Sequence, residues 1–489
     1  MINDVQKANQ ILALKTAEIN CCHRPGFHIS PPAGWLNDPN GLCFHNGTYH
    51  AFYQHHPFSE NWGPMHWGHV TSTDMVHWQH QSVALAPGEE GACFSGSAVS
   101  DGEQLALFYT GSIWLGEEGD DSQMRQVQCL ATSRDGLIFE KQGIVMPLPP
   151  KNGMIHFRDP KVWREENRWH MVVGMRDGET GQIGYYQSDD LHEWSFISVL
   201  AEADKSMGFM WECPDFFSMA GKQVLICSPQ GMQASGYDNR SLFQNGYMVG
   251  QFDKEQGTFT FDKFEELDHG HDFYALQTFT AADGRRVGIA WMDMWESNMP
   301  TQKKGWAGAL TLPRELQLDA DNKLRQIPVV ELQSLRCEKL NPVCRKSINN
   351  EVQFIGIQEE MLELKICFSL AQAGAERFGL MLRCGETPFE QTLIGYDAMA
   401  GRVFIDRNLS GQNMQGVRSA AVDALDGVIE LHIFLDRSSV EIFVNQGEAA
   451  LTSRIYPSQS SLDVKVFAEN GRVDIEQFSA WRLQDIWNK

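Results

Sequence analysis

The 489-residue sequence is short of positive charge. Its 40 lysines and arginines face 63 aspartates and glutamates, a formal net charge of −23. A field of that sign excludes nucleic acid and anionic membranes as partners. No apolar run approaches the length of a membrane span. The first twenty residues carry Asp4, Lys7, Lys15 and Glu18, so they do not read as a signal peptide. There are 11 cysteines, an odd number, with no C-x-x-C pair. The adjacent Cys21 and Cys22 cannot form an unstrained bridge, so the chain reads as reduced and cytoplasmic.

Several catalytic signatures are also missing. Phe94-Ser95-Gly96-Ser97 lacks the first glycine of a G-x-S-x-G elbow, which argues against a serine hydrolase. No Walker or Rossmann glycine pattern occurs. His55-His56 and His66-Trp67-Gly68-His69 match no metal-ligand spacing, so no metal or other cofactor is expected. Cys213 has no histidine partner to make it a nucleophile.

What is present is globular. The composition is 42% hydrophobic and 21% charged, and the length predicts two to four domains. Residues 3–19 read as a helix, capped by Asn3 or Asp4, with Val5, Ala8, Ile11, Leu12 and Leu14 on one face. From about 23 to 325, short aromatic and β-branched runs alternate with turn residues, among them Leu42–Phe44, Leu105–Tyr109, Trp169–Val173 and Val287–Trp291. Ser72-x-Asp74-x-x-x-Trp78 recurs at Ser133–Phe139 and Ser188–Trp194, offsets of 61 and 55 residues. That period fits one four-stranded blade, and the segment length then predicts a five-bladed β-propeller. Residues 326–340 read as a linker containing a helix. Residues 341–489 alternate as a β-sandwich, clearest at Leu431–Asp436 and Val440–Val444. Residues 1–22 stand apart as the helical segment. A homodimer remains open.

Three carboxylates stand in aromatic, proline-braced contexts: Asp38 in Gly34–Gly41, Asp159 in Phe157–Pro160, and Glu212 in Trp211–Asp215. Alone, each has an ordinary explanation as a turn cap or a buried ion-pair partner. Together they predict one site built from three loops at the channel mouth. Cleavage of a glycosidic bond needs one carboxylate beside the anomeric carbon and one carboxylic acid at the leaving oxygen. Asp38, beside Asn37 and Asn40, suits the ionised partner. Glu212, beside Trp211, Phe209 and Met210, suits an acid whose pKa an apolar wall would raise. Asp159, following Arg158, is expected to stay charged and to bind sugar hydroxyls. Trp35, Leu36, Asn37, Gln54, Trp62, Phe94, Ser95, Arg158, Tyr274 and Trp291 are the candidate sugar-binding residues. Each aromatic taken singly fits a propeller core as well.

At these residues the sequence resembles glycoside hydrolase family 32, the invertases and fructan hydrolases, and within it the bacterial intracellular sucrose-6-phosphate hydrolases. The motifs are Trp35–Gly41, Tyr53–Pro57, Trp62-Gly63, Phe94–Gly96, Phe157–Pro160, Trp211–Asp215, His271–Ala275 and Ser438–Phe443. The resemblance runs from about His28 to the end. It implies the propeller and sandwich, Asp38 as nucleophile, Asp159 as transition-state stabiliser and Glu212 as acid/base. It implies fructose contacts from Asn37, Gln54, Trp62, Ser95, Arg158, Asp159 and Trp291. Leu36 stands where methionine is often seen, a mild exchange. The implied reaction is hydrolysis of sucrose or sucrose 6-phosphate through a fructosyl-enzyme. Lys303 and Lys304 are candidate phosphate ligands, with solvated lysines the plain alternative. A fructan exo-hydrolase, a fructosyltransferase, an arabinan hydrolase and an inactive sugar-binding protein remain rivals.

Overall fold

The structure, a computed structural model, describes residues 4–487 except 118, 119, 121, 372, 373 and 413. Among the described residues no helix is long and apolar enough to cross a membrane. The N-terminal helix spans Asp4–Glu18 and buries Ala8; the proposed cap Asn3 lies outside the described residues. Asn9 and Lys15 pin the helix to the first blade through Val83 N and Phe58 O. Leu14 is exposed, against the expectation. It lies about 120° around the helix from Ala8, too far to share its face.

Five sheets of four or five strands follow, each a blade, antiparallel except where Trp306–Ala307 pairs in parallel with the start of Gly34–His45. Their innermost strands are Gly34–His45, Ala92–Ser100, Phe157–Glu165, Met210–Met219 and Tyr274–Thr280. The recurring Ser-x-Asp pattern closes the third strand of the first three blades. In each copy the serine hydroxyl donates to the aspartate, which accepts two backbone N–H groups just beyond it. Such a turn stops one strand and starts the next. In the fourth blade Asp253 does this alone, accepting from Glu255 N and Gln256 N.

An inner strand has one edge facing the channel, where its backbone groups lack a ladder partner. Side chains of neighbouring blades take up part of this need. Asn40 accepts from Gly96 N, Ser97 bridges Pro160 O and Val162 N, and Asp215 accepts from Thr278 N. These bonds fix adjacent inner strands against one another and hence fix whatever they carry.

The fifth blade ends with strand Leu324–Pro328, and a short 3-10 turn, Val330–Leu335, leads out of it. Strand Arg336–Leu340 already pairs with the far end of the chain. The second body is a β-sandwich around a core of Ile, Leu, Val and Phe. Its last strand, the 21-residue Asp463–Leu483, runs through both layers: the first half pairs with Arg377–Glu386, the second with Leu362–Ser369. The expected hairpin is there, with Asp436 opposite Ser439.

Candidate active site

Near one end of the channel, each inner strand holds an extra residue relative to its neighbour. Leu36 to Pro39 opposes only His55 to Tyr53. The same offset recurs at Cys93–Gly96, Arg158–Lys161, Glu212–Asp215 and Tyr274–Gln277. These are β-bulges, which bend a strand and re-aim its side chains. Asp159, Cys213 and Ala275 adopt φ of 65°, 47° and 55° there, a left-handed conformation that costs a non-glycine residue energy. Pro39, Pro160 and Pro214 are tolerated because a bulge at a sheet edge needs no N–H for the ladder. The turn-forming residues of the three motifs thus belong to bulged strands, not to the loops expected from the sequence.

The bulges bring Asp38, Asp159 and Glu212 to one cavity of about 240 Å³. Cys213 knits them together. Its thiol lies 3.5 Å from Asp38 Oδ2 and 3.6 Å from Asp159 Oδ2, and its N–H donates to Asp159 Oδ2 at 3.0 Å. Asp38 also accepts from Ser95 Oγ at 2.7 Å and Asn37 Nδ2 at 3.1 Å. Trp35 Nε1 donates to Asn37 Oδ1 at 2.8 Å, which orients that amide. Thr110 Oγ1 accepts from Asp159 N at 2.9 Å.

Glu212 sits differently from the sequence expectation. Trp211 turns into the core between blades and donates its indole N–H to Met207 O. Neighbours along a strand point to opposite faces, so no apolar wall covers the carboxylate. Arg158 donates twice to Glu212 Oε1, at 2.9 and 2.8 Å. Tyr274 OH at 2.5 Å and Gln230 Nε2 at 2.7 Å donate to Oε2. The same alternation gives Arg158 to Glu212 rather than to the adjacent Asp159.

Burial raises the pKa of Asp38 to about 6, with the Glu212 charge adding to it and the bonds from Ser95 and Asn37 opposing it. Burial likewise raises Asp159 to about 7; Arg158 opposes this, and Glu212 and Asp38 reinforce it. Desolvation thus works against the charged form of Asp159, since the neighbouring guanidinium is committed to Glu212.

Of the other expected residues, Asn37, Gln54, Trp62, Phe94, Ser95 and Arg158 line the cavity. Tyr274 is behind Glu212, and Trp35 stands behind Asn37. Leu36 and Trp291 are wholly buried in the core; Leu36 alternates with the cavity-lining Asn37, and Trp291 packs against Trp35 and Trp295. Trp114, Met124, Gln126, Gln230 and Trp295 line the cavity without having been singled out. Trp295 stacks on Trp35 at 6.0 Å, and a second tryptophan so close after Trp291, in a polar loop, was the available signal. Lys303 and Lys304 are exposed and do not line the cavity. Among the described residues, the group spaced to share a cation is Asp238, Glu266 and His269, none of them in the cavity.

A small polar cavity with paired carboxylates and half-buried aromatic faces has the means to bind one sugar ring and to move a proton at a C–O bond. Comparison with known proteins agrees. Residues 28–328 match the family described as "Glycosyl hydrolases family 32 N-terminal domain" and residues 331–482 its C-terminal counterpart. The chain is 48% identical to a sucrose-6-phosphate hydrolase of Escherichia coli, over 94% of each chain. It is also 48% identical to a raffinose invertase of Escherichia coli, over 94% of this chain and 95% of that one. A solved Bombyx mori GH32 β-fructofuranosidase is 36% identical, with a TM-score of 0.87 and 98% of each chain covered. The chain therefore belongs to glycoside hydrolase family 32.

Proposed function

We propose that the chain is a retaining β-fructofuranosidase that hydrolyses sucrose or sucrose 6-phosphate by double displacement. The observation that carries this is the meeting of Asp38, Asp159 and Glu212 in one cavity. Asp38 attacks the anomeric carbon of fructose while Glu212 protonates the leaving glucosyl oxygen. Asp38 suits attack because at neutral pH most of it is ionised, and Ser95 and Asn37 hold its oxygens in place. Tyr274, Gln230 and Arg158 fix the Glu212 carboxyl, so its free motion is already restricted before substrate arrives. Asp159 lies where fructose hydroxyls would bind, and its interaction strengthens as the ring gains positive charge. Once Asp38 is esterified, the negative charge rests on Glu212, which has given its proton to the glucosyl oxygen, and Glu212 then accepts a proton from the attacking water.

A reducing compartment such as the cytoplasm is the proposed location, supported by 11 unpaired cysteines. Proton NMR during turnover tests the stereochemistry: β-fructofuranose should be the first anomer released. Early release of the α anomer would mean a single inverting displacement, and the nucleophile role of Asp38 would fall.

A further inference from the structure

We infer that the leaving-group side of the cavity selects an uncharged sugar, so that the chain acts on sucrose in preference to sucrose 6-phosphate. This rests on the fructosidase reading and narrows it. If fructose lies among the three carboxylates, glucose occupies the mouth. The half-buried aromatic lining residues are Trp62, Phe94, Trp114 and Trp295, neutral faces suited to a sugar ring.

A phosphate monoester brings a charge of about −1.5 to −2 and wants a guanidinium, an ammonium or a cluster of N–H donors. Among the described residues, the cavity lining holds three carboxylates and a single cation, Arg158. That arginine is committed: Nε and Nη2 donate to Glu212, and Nη1 meets His156 Nδ1 at 2.9 Å. Arg125 and Lys151 border an adjoining cavity of about 140 Å³, which shares Met124 and Gln126 with the first. Arg125 alternates to the strand face opposite Met124 and Gln126, and Lys151 pairs with Asp177 at 2.6 Å.

The mouth adds repulsion. Trp114 and Met124 are ladder partners, and the Leu115 N to Gln123 O bond carries the pairing outward. Just beyond this pairing Glu117 is exposed. Asp120 accepts bonds from Ser122 and Gln123 that hold it ionised. Glu117 is three residues from Trp114, so about 10 Å at most, near one screening length in physiological salt.

The test is kcat/KM for sucrose and for sucrose 6-phosphate, on the full chain, at low and high ionic strength. Sucrose should be favoured by about tenfold or more at low salt. Added salt should narrow the gap by improving the phosphorylated substrate alone. Glu117→Lys should narrow it at low salt with kcat/KM for sucrose unchanged. Equal or better turnover of sucrose 6-phosphate at low salt overturns the inference while leaving the fructosidase reading intact. A ratio indifferent to both salt and Glu117→Lys overturns it as well. Hydrolysis of neither substrate sinks the underlying reading and this inference together.

Discussion

Asp38 is pulled in two directions. Burial and the neighbouring Glu212 favour its protonated form, while Ser95 and Asn37 favour the carboxylate, and the outcome is a pKa of about 6. A nucleophile must be ionised, so kcat/KM should fall as pH drops below about 6. Ser95→Ala removes a bond to the charged form, so the acidic limb should move to higher pH. A hydrogen bond to a charged group is worth about 1.5–3 kcal/mol, and about 1.4 kcal/mol is one pH unit, so the displacement should be about one unit or more. The pH profile of kcat/KM reads this directly. A limb that stays in place while the rate falls would mean that another group titrates there.

At the scale of the strand, the five bulges explain what the sequence disclosed and what it hid. The alternating runs and the Ser-x-Asp turns were legible because they follow period-2 patterning and local turn chemistry. Asp38, Asp159 and Glu212 were legible through the company they keep. The strands carrying them were not, because Gly, Asn, Asp and Pro write turn signals wherever a bulge needs them. The partner of Arg158 was hidden for a related reason: adjacent residues of a strand diverge, and the charge next in sequence is not the charge next in space. Trp114 and Gln230 come from second strands or their ends, which no motif marks. A bulge also demands close approach by its neighbour. Gly174 faces the Arg158 bulge, and a Cβ there would lie 2.3 Å from Trp211 O and 3.2 Å from Arg158 O. Neither backbone has a free end to yield. Gly174→Ala should therefore destabilise the propeller by about 1–3 kcal/mol, the usual range for overpacking, and lower turnover by spreading Arg158 from Glu212. Thermal unfolding and sucrose hydrolysis measure the two effects. A variant as stable and active as the parent would show that the third and fourth blades are not held as tightly as the register requires.

Over the whole molecule, the sandwich meets the propeller through buried charge rather than through apolar surface alone. His28 lies between Asp436 at 2.8 Å and Glu441 at 2.9 Å. Arg314 joins Asp268 and Glu441, and Arg407 joins Asp272. The motif His271–Ala275 thus has two ends: Asp272 clamps the sandwich and Tyr274 holds Glu212. Ser438–Phe443 supplies Glu441 to the same interface. One member of the network is poorly served. Both oxygens of Asp293 are buried without a hydrogen-bond partner, and Arg454 stands 3.6 Å away. Burial raises Asp293 to about 7, with Asp272 adding to it and Arg454 opposing it. Its folded pKa exceeds the unfolded value near 3.8, so the native state binds the extra proton. Its contribution to stability is therefore greatest below about 4 and is lost as pH rises to about 7. His28 acts in the same direction at higher pH. Burial alone would lower its pKa, but the bonds to Asp436 and Glu441 raise it, so its support is lost as pH climbs through that raised value. Asp293→Asn replaces the costly carboxylate with a neutral group of the same shape. The variant should melt higher than the parent at pH 8, and the gain should shrink at pH 5, where Asp293 already carries its proton. Melting temperatures of both proteins at the two pH values decide it. A loss of stability at pH 8 would mean that the attraction of Arg454 outweighs burial, and that the charge at Asp293 holds the two bodies together.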